Sequence, residues 1–418
     1  MSLEGKGVLY ISYNGMLDPL GQSQVLPYLR ELSKLGVQFT LLSFERPVAF
    51  SSEGTARRDE LRKQLTAEGI EWHALRYHQK PTLPATVYDV RRGVRYAKRL
   101  VRSQKIEMVH ARSHIAAAIA LRLKKRFGLK MIFDLRGLMA DEYVDADHWR
   151  QGGVRYRITK LMERRALAGA DGIVTLTEKV WPVIKSWDVL RDREVIHEVI
   201  PCCVDLDLFK FDAEARERRR AELGIQNRLV LVYSGSIGGW YLTEQMADFF
   251  AALLQKRPDA HFLWLTLGNA EMIGNLMSTR GISSAQYTVV KAEPKEVSSY
   301  LSAGDAGIAF YKPAFSRMAT SPVKIGEYLA CGLPLVINAG IGDSDAMVTT
   351  ERIGALVRDF NESEYAQAAN VVGGFVGYPD QTRRCAREIA ERLFDVRRVG
   401  VQRYGRLYDS VLAGKSEV

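Results

Sequence analysis

Long apolar runs are missing from this 418-residue chain. The longest, Ile115 to Leu121, has seven residues, against the ~18 that a membrane-crossing helix needs. The opening MSLEGKG has no apolar core of the kind a secretion leader carries. Four cysteines, the adjacent Cys202 and Cys203 with the separate Cys331 and Cys385, make no C-x-x-C pair. That excludes a zinc ribbon, a redox motif and a disulfide-stapled scaffold, and buried free thiols in a cytoplasmic protein are expected. Acids are scarce in one stretch only: Arg76–Lys130 holds 15 Lys and Arg but just Asp89 and Glu107. Residues 1–200 hold 34 basic and 23 acidic side chains, the remainder 25 and 26, so the net charge of +10 lies in the first half.

What is present is ordinary for a soluble globular chain, 47% apolar and 26% charged. The length allows two or three domains. Short β-rich runs alternate with amphipathic segments. Strands are predicted at Val8–Ser12, Phe39–Phe44, Ile106–His110, Met131–Asp134, Gly172–Leu176 and Val195–Ile200, with a helix through Val25, Leu29, Leu32 and Leu35 stopped by Gly36. The pattern restarts with Leu229–Tyr233 and the loop Gly235-Ser236-Ile237-Gly238-Gly239, then a helix over 243–256 and strands near 261–265, 287–291, 306–310 and 334–337. Phe211–Leu223 reads as a helix joining the halves. The expectation is an α/β protein of two Rossmann-like domains, 1–200 and 201–394, with parallel sheets facing across a cleft, and a helix in 395–418 returning to the first.

The segment TSPVKIGEYLACGLPLVIN, residues 320–338, carries the most chemistry. Ser321 suits an N-cap, Pro322 the first helical position and Gly332 the stop, predicting a helix over 322–331. Val323, Ile325, Gly326, Tyr328, Leu329 and Ala330 cover most of its surface, which marks a buried helix. Lys324, Glu327 and Cys331 share a narrow stripe. Lys324 stands in the first turn, where the macrodipole favours anions. A bound anion would reconcile the two, and Glu327 one turn on could accept from two sugar hydroxyls. The competing reading is an i,i+3 ion pair between them.

This segment resembles the donor signature of glycosyltransferase family 4, retaining enzymes of the GT-B fold. DPLGQSQVLPYLRE is similar to the family's first glycine loop and helix. VHARSHIAAAIA, IFDLRGLMADE, VIPCCVDLDLF and AGDAGIAFYKP resemble its later strand ends in order and spacing. The resemblance implies transfer of a sugar, with retention, from a nucleotide diphosphate to a glycan or lipid-linked hydroxyl in bacterial surface polysaccharide synthesis. It places the donor on Gly235, Ser236, Gly238, Ser321, Pro322, Lys324 and Glu327, with Glu327 on the ribose and Lys324 against the leaving group. Gly21, Gln22, Ser23, His114, Asp134 and Arg136 are the acceptor candidates; Lys324, Arg136 and Glu142 are the catalytic ones. Asp141 reads as a solvated loop carboxylate.

The chain departs from that pattern at three places. Ala319 stands where the first of two glutamates seven residues apart is usual. Ser236 and Tyr241 replace an Arg and a Lys after the second domain's first strand. Arg136 replaces a His, and an Arg cannot be a general base near neutral pH. No cofactor beyond the donor is expected, and no metal. Asp145/Asp147, Asp205/Asp207 and Asp343/Asp345 are D-x-D triplets at about the frequency chance gives, and His110 with His114 lacks a third ligand. Glu45 after the second strand echoes a ribose-binding acid, but G-x-G-x-x-G is absent.

Val87–Lys105 reads as a basic amphipathic helix with Val87, Val90, Val94, Ala97 and Val101 on one side. It fits an anionic membrane surface or simple packing of the valine face on a sheet; no nucleic-acid module accompanies it. Cytoplasmic placement, peripheral on the inner face of the membrane, is the corresponding expectation. Alternatives to a transferase are a sugar-nucleotide epimerase of the same fold and a non-catalytic nucleotide-sugar-binding protein.

Overall fold

The structure, a computed structural model, describes residues 3–414. The chain divides into two compact units, Met1–Pro201 with Val396–Val418, and Cys202–Asp395.

The first unit is a seven-stranded parallel sheet in the order β3-β2-β1-β4-β5-β6-β7. Its strands are β1 Gly7–Ser12, β2 Gln38–Glu45, β3 Ile70–Arg76, β4 Met108–Arg112, β5 Lys130–Asp134, β6 Gly172–Thr175 and β7 Ile196–Val199. The central strands are buried throughout, because helices cover both faces, and the polar side chains they carry, among them Ser12, His110, Arg112 and Asp134, are buried with them. Register brings Ser12, Arg112 and Asp134 level at the carboxyl ends of β1, β4 and β5. The order reverses between β1 and β4, the place where such sheets open a crevice.

The second unit is a six-stranded parallel sheet ordered β10-β9-β8-β11-β12-β13. The strands are β8 Leu229–Ser234, β9 Ala260–Leu265, β10 Tyr287–Val290, β11 Ala306–Ala309, β12 Leu335–Asn338 and β13 Gly354–Val357. Its reversal lies between β8 and β11. Among the described residues no helix is long and apolar enough to cross a membrane, and all four cysteines are free, three of them buried.

Several local expectations are corrected. Sequence reading misses β3 and β13, both edge strands. β3 alternates buried Ile70, Trp72 and Leu75 with Glu71, His73 and Arg76, so it has no apolar run. The first helix is two, Pro19–Gln24 and Leu26–Lys34, broken at Val25 (φ −128°, ψ −62°) just before Pro27. The helix Ala213–Leu223 belongs to the second unit. Arg216 and Arg220 grip Asp305 at 2.5 and 2.6 Å, and the same carboxylate accepts from the Val230 amide at 2.8 Å.

The basic helix runs Thr82–Ser103, and its buried stripe is Ala85, Asp89, Val90, Gly93, Val94, Ala97 and Leu100. Val87 is 49% exposed instead of facing the sheet. Burial of Asp89 costs little because Tyr13 and His78 donate to its carboxylate. The helix Gln402–Ala413 packs on the first unit, where the Tyr408 hydroxyl meets His110 Nδ1 at 2.6 Å and the Tyr404 hydroxyl donates to Asp134 Oδ2 at 3.1 Å.

Candidate functional site

The second sheet's reversal point carries the densest unexplained chemistry. β8 ends in Ser234 and runs into the glycine loop. The Gly235 amide is tied to Leu265 O at 2.9 Å, and the Gly238 amide to Thr243 Oγ1 at 2.9 Å. The Tyr233 hydroxyl donates to Ser236 O. Tyr241 pairs in an isolated bridge with Tyr311, two residues after β11. Three tyrosines thus meet where the strand order turns.

Into this ring reaches Lys324. It lies in the helix Val323–Ala330, one residue shorter at each end than the sequence predicts. Ser321 is not its cap: the Ser321 hydroxyl accepts from the Cys202 amide at 3.1 Å, and the cap residue is Pro322, which has no side-chain donor or acceptor to offer. The first-turn amides keep no side-chain partner, which is the anion-accepting arrangement of a helix start. Tyr328 fixes the helix against the loop. Its hydroxyl accepts from the Ser234 amide at 2.8 Å and donates to Ile308 O at 3.3 Å. Gly307 is required beneath it, since a Cβ there would lie 2.3 Å from the Tyr328 ring.

Lys324 is 7% exposed, and its Nζ has no hydrogen-bond partner among the described residues. The Nζ stands 3.8 Å from the Tyr241 ring centre, 4.8 Å from Tyr233 and 5.3 Å from Tyr311. Aromatic faces attract a cation but do not replace a counter-ion. The expected alternative of an i,i+3 pair with Glu327 does not form. Burial pushes the Lys324 ammonium down to about 7 against the pull of Glu327, and burial likewise lifts the Glu327 carboxyl to about 7 against Lys324. Gly235, at φ +144°, has a backbone conformation that L-residues rarely adopt, and a Cβ there would sit 2.8 Å from Lys324 Nζ. Gly238 and Gly239 also take positive φ, and a Cβ on either would meet open space.

Sequence reasoning missed one cation here. Arg317, in the short helix Phe315–Ala319, is 6% exposed, and its guanidinium lies 3.8 Å over the Trp240 ring. It is close enough to Tyr241 to oppose the rise that burial imposes on that hydroxyl. Its only sequence signal was an Arg two places before the departed glutamate. Ala319 is 2% exposed, so a carboxylate at that position would have to be buried.

The first unit holds the remaining candidates. Gly21 does not make room for a substrate: a Cβ there would strike Gly15 O at 2.3 Å and Met16 Cα at 2.7 Å, so its own loop uses the space. Gln22 donates to Met16 O at 2.6 Å and Ser23 to Pro19 O at 2.9 Å, both holding the same loop. Glu45 accepts from the Met16 and Leu17 amides at 2.7 and 3.2 Å and from Ser43 Oγ at 2.6 Å, which makes it the loop's anchor and not a ribose ligand.

His114 is buried with Nε2 2.9 Å from Glu163, so it packs and does not line an open wall. Asp141 is not solvated: it takes Lys160 at 3.1 Å and Tyr156 at 3.2 Å. Asp134 is fully buried, with Arg136 Nη1 at 3.5 Å, His110 Nε2 at 3.6 Å and Arg112 Nη1 at 3.7 Å. Burial opposes its ionisation, but Arg136, His110 and Arg112 together hold the carboxyl well below the usual range. Asp134 is therefore a support, and Arg136 is the half-buried member nearer solvent. Glu142 folds back under Gly137, where a Cβ would meet its Oε1 at 2.2 Å. Among the described residues no three His, Cys, Asp or Glu side chains group as a metal site.

Residues 21–181 match the family profile described as glycosyl transferase 4-like domain. The chain is 29% identical over 182 residues to TuaH of Bacillus subtilis, described as a teichuronic acid biosynthesis glycosyltransferase; the match spans 44% of this chain and 44% of that protein's length. The sucrose-phosphate synthase structure from Thermosynechococcus elongatus superposes with a TM-score of 0.75 at 16% identity, covering 98% of this chain and 100% of that one. HepE of Anabaena, solved with UDP and glucose, superposes with a TM-score of 0.68 at 14% identity, covering 97% and 100%. The resemblance drawn from the motifs agrees with these matches: residues 21–181 match the glycosyl transferase 4-like profile, in a chain whose two parallel sheets have the GT-B fold.

Proposed function

We propose that the protein is a retaining glycosyltransferase that binds a nucleotide-diphosphate sugar on its second unit. The observation that carries the reading is the orphan ammonium of Lys324, buried at the sheet's reversal point beside an uncapped helix start and a glycine loop. A buried cation without a counter-ion is costly unless a ligand supplies one. The diphosphate of the donor has the charge and size for that role. Amides of the Val323–Ala330 helix and of the Gly235–Gly239 loop, other than those of Gly235 and Gly238 that are bonded within the protein, would take its oxygens, and Glu327 would accept from the ribose hydroxyls. As the nucleotide departs, negative charge grows on its β-phosphate; Lys324 and Arg317 would stabilise it. Arg317 thus stands in for the cations that Ser236 and Tyr241 do not provide. With amides and two cations so placed, the transfer needs no divalent metal. Arg136 would hold the acceptor, and Glu142 would assist there.

HepE was solved with UDP and glucose, which supports a uridine nucleotide among the donors to try first. The name of TuaH supports an acceptor in surface polysaccharide synthesis. The cation-rich helix Thr82–Ser103, with Leu83, Val87 and Tyr88 exposed at its start, supports an anionic membrane surface as the place where a lipid-linked acceptor is met. The protein would then work in the cytoplasm, on the inner membrane face.

The test is a thermal-shift screen against UDP- and GDP-sugars, followed by transfer from the labelled donor with and without chelator. Stabilisation by a nucleotide that disappears in Glu327→Ala, with chelator-insensitive transfer of the sugar, supports the reading. Unchanged nucleotide affinity in Glu327→Ala overturns the ribose assignment. Recovery of an isomerised sugar would indicate an epimerase. Binding without turnover would indicate a silent binding protein, which the buried Ala319 in place of a carboxylate makes the second reading.

A further inference from the structure

The helix Val154–Gly169 is exposed in a way its packing does not require. Its inner stripe, Thr159, Glu163 and Leu167, is buried. At 100° per residue the opposite pole is held by Val154, Ile158 and Leu161, and these are 71%, 42% and 47% exposed. Three bulky apolar side chains at i, i+4 and i+7 form one ridge aimed at solvent. Single exposed apolar residues need no explanation, but a continuous ridge does. Exposed Arg155, Arg157 and Arg165 flank it or stand within it. The helix has one acid, Glu163, which is buried against His114 and Lys160.

The same helix packs beside Ser113–Phe127, which packs beside Thr82–Ser103. The only acids in the three are Asp89 and Glu163, both buried and paired, so no acid of these helices faces outward. Two acids from neighbouring segments reach this helix, the exposed Asp188 on Arg164 and Asp141 on Lys160, and Arg155, Arg157 and Arg165 remain in excess. An apolar ridge on such a basic face is complementary to an anionic lipid surface: the ridge enters the acyl boundary while the arginines meet headgroups. A second copy of the chain would instead set arginines against arginines.

We infer that the ridge Val154, Ile158 and Leu161 is the apolar wedge by which the first unit docks on an anionic bilayer. This rests on the membrane reading proposed above and deepens it, moving the inserted element from the start of Thr82–Ser103 to Val154–Gly169.

The experiment is co-sedimentation of the full chain with phosphatidylcholine vesicles, with and without phosphatidylglycerol, at low and high salt. Wild type is compared with Ile158→Glu/Leu161→Glu and with Leu83→Glu/Val87→Glu. The wild type is expected in the pellet with phosphatidylglycerol, retained in part at high salt. The ridge variant should lose about tenfold or more of its binding at an unchanged thermal midpoint, as fits exposed positions. If the ridge variant pellets like wild type while the Leu83/Val87 variant does not, the wedge is overturned and the membrane reading stands. If wild type pellets with neither vesicle, both fall. If the ridge variant instead changes the oligomeric state in sedimentation velocity, the ridge is a self-association face and the inference is overturned.

Discussion

The Nζ of Lys324 stands 3.8 Å from the centre of the Tyr241 ring. The aromatic face attracts the ammonium but does not neutralise it, so the charge stays buried without a counter-ion among the described residues, which is the relationship the proposed donor site rests on.

Removing that charge should improve the empty protein and ruin the occupied one. Lys324→Met is expected to raise stability without ligand by on the order of 1–3 kcal/mol, since it replaces an unpaired buried cation with an apolar chain of similar length. Nucleotide affinity should fall by roughly tenfold to a hundredfold, the worth of a charge-assisted bond to phosphate. Thermal melts with and without UDP read both effects. A variant that melts higher and still shifts fully with UDP refutes the diphosphate assignment.

Affinity for UDP should peak near pH 7. The Lys324 ammonium titrates at about 7 in the empty site, below its ordinary 10.5, so the cation that phosphate needs is lost as pH rises through 7. The Glu327 carboxyl, lifted from 4.5 to about 7, loses the ionised form that accepts from ribose as pH falls through 7. The two titrate as a coupled pair, and a bell results. Glu327→Gln should remove the acid limb of an isothermal-titration profile and Lys324→Met the alkaline limb. A flat profile in the wild type contradicts this.

Gly235→Ala should cost stability and donor binding together. The added methyl would press on Lys324 Nζ at 2.8 Å, at a φ of +144° that L-residues avoid. A loss of about 1–3 kcal/mol is expected, with the nucleotide shift abolished. Gly239→Ala, where a Cβ meets open space, should cost less despite its positive φ.

Arg317→Gln tests the stand-in cation. Trp240 would lose its stacked guanidinium, and transfer rate should fall by about tenfold to a hundredfold, more than KM rises, because the charge matters most as the nucleotide leaves. A change confined to KM would make Arg317 a ground-state binder only.

Central strands such as β1 and β8 were legible because burial on both faces leaves an uninterrupted apolar run. The edge strands β3 and β13 were not, since half of each faces outward or the strand is only four residues long. The helix carrying Lys324 and Glu327 could be read from its apolar circumference, but not what surrounds it. Tyr311 is remote in sequence from Tyr233 and Tyr241 and joins them only because the sheet sets β11 beside β8. Gly21, Gln22 and Ser23 have the look of a binding loop, yet their atoms are spent on Met16 and Pro19, a distinction that only coordinates make. His114 and Asp134 were found at the right strand ends but serve behind the surface.

The hydroxyls of Tyr404 and Tyr408 reach residues synthesised some 270 and 298 positions earlier. Translation must therefore produce all of Cys202–Asp395 before Asp134 and His110 receive these phenols. Until then a nascent chain holds a raw polar wound at the heart of its first sheet.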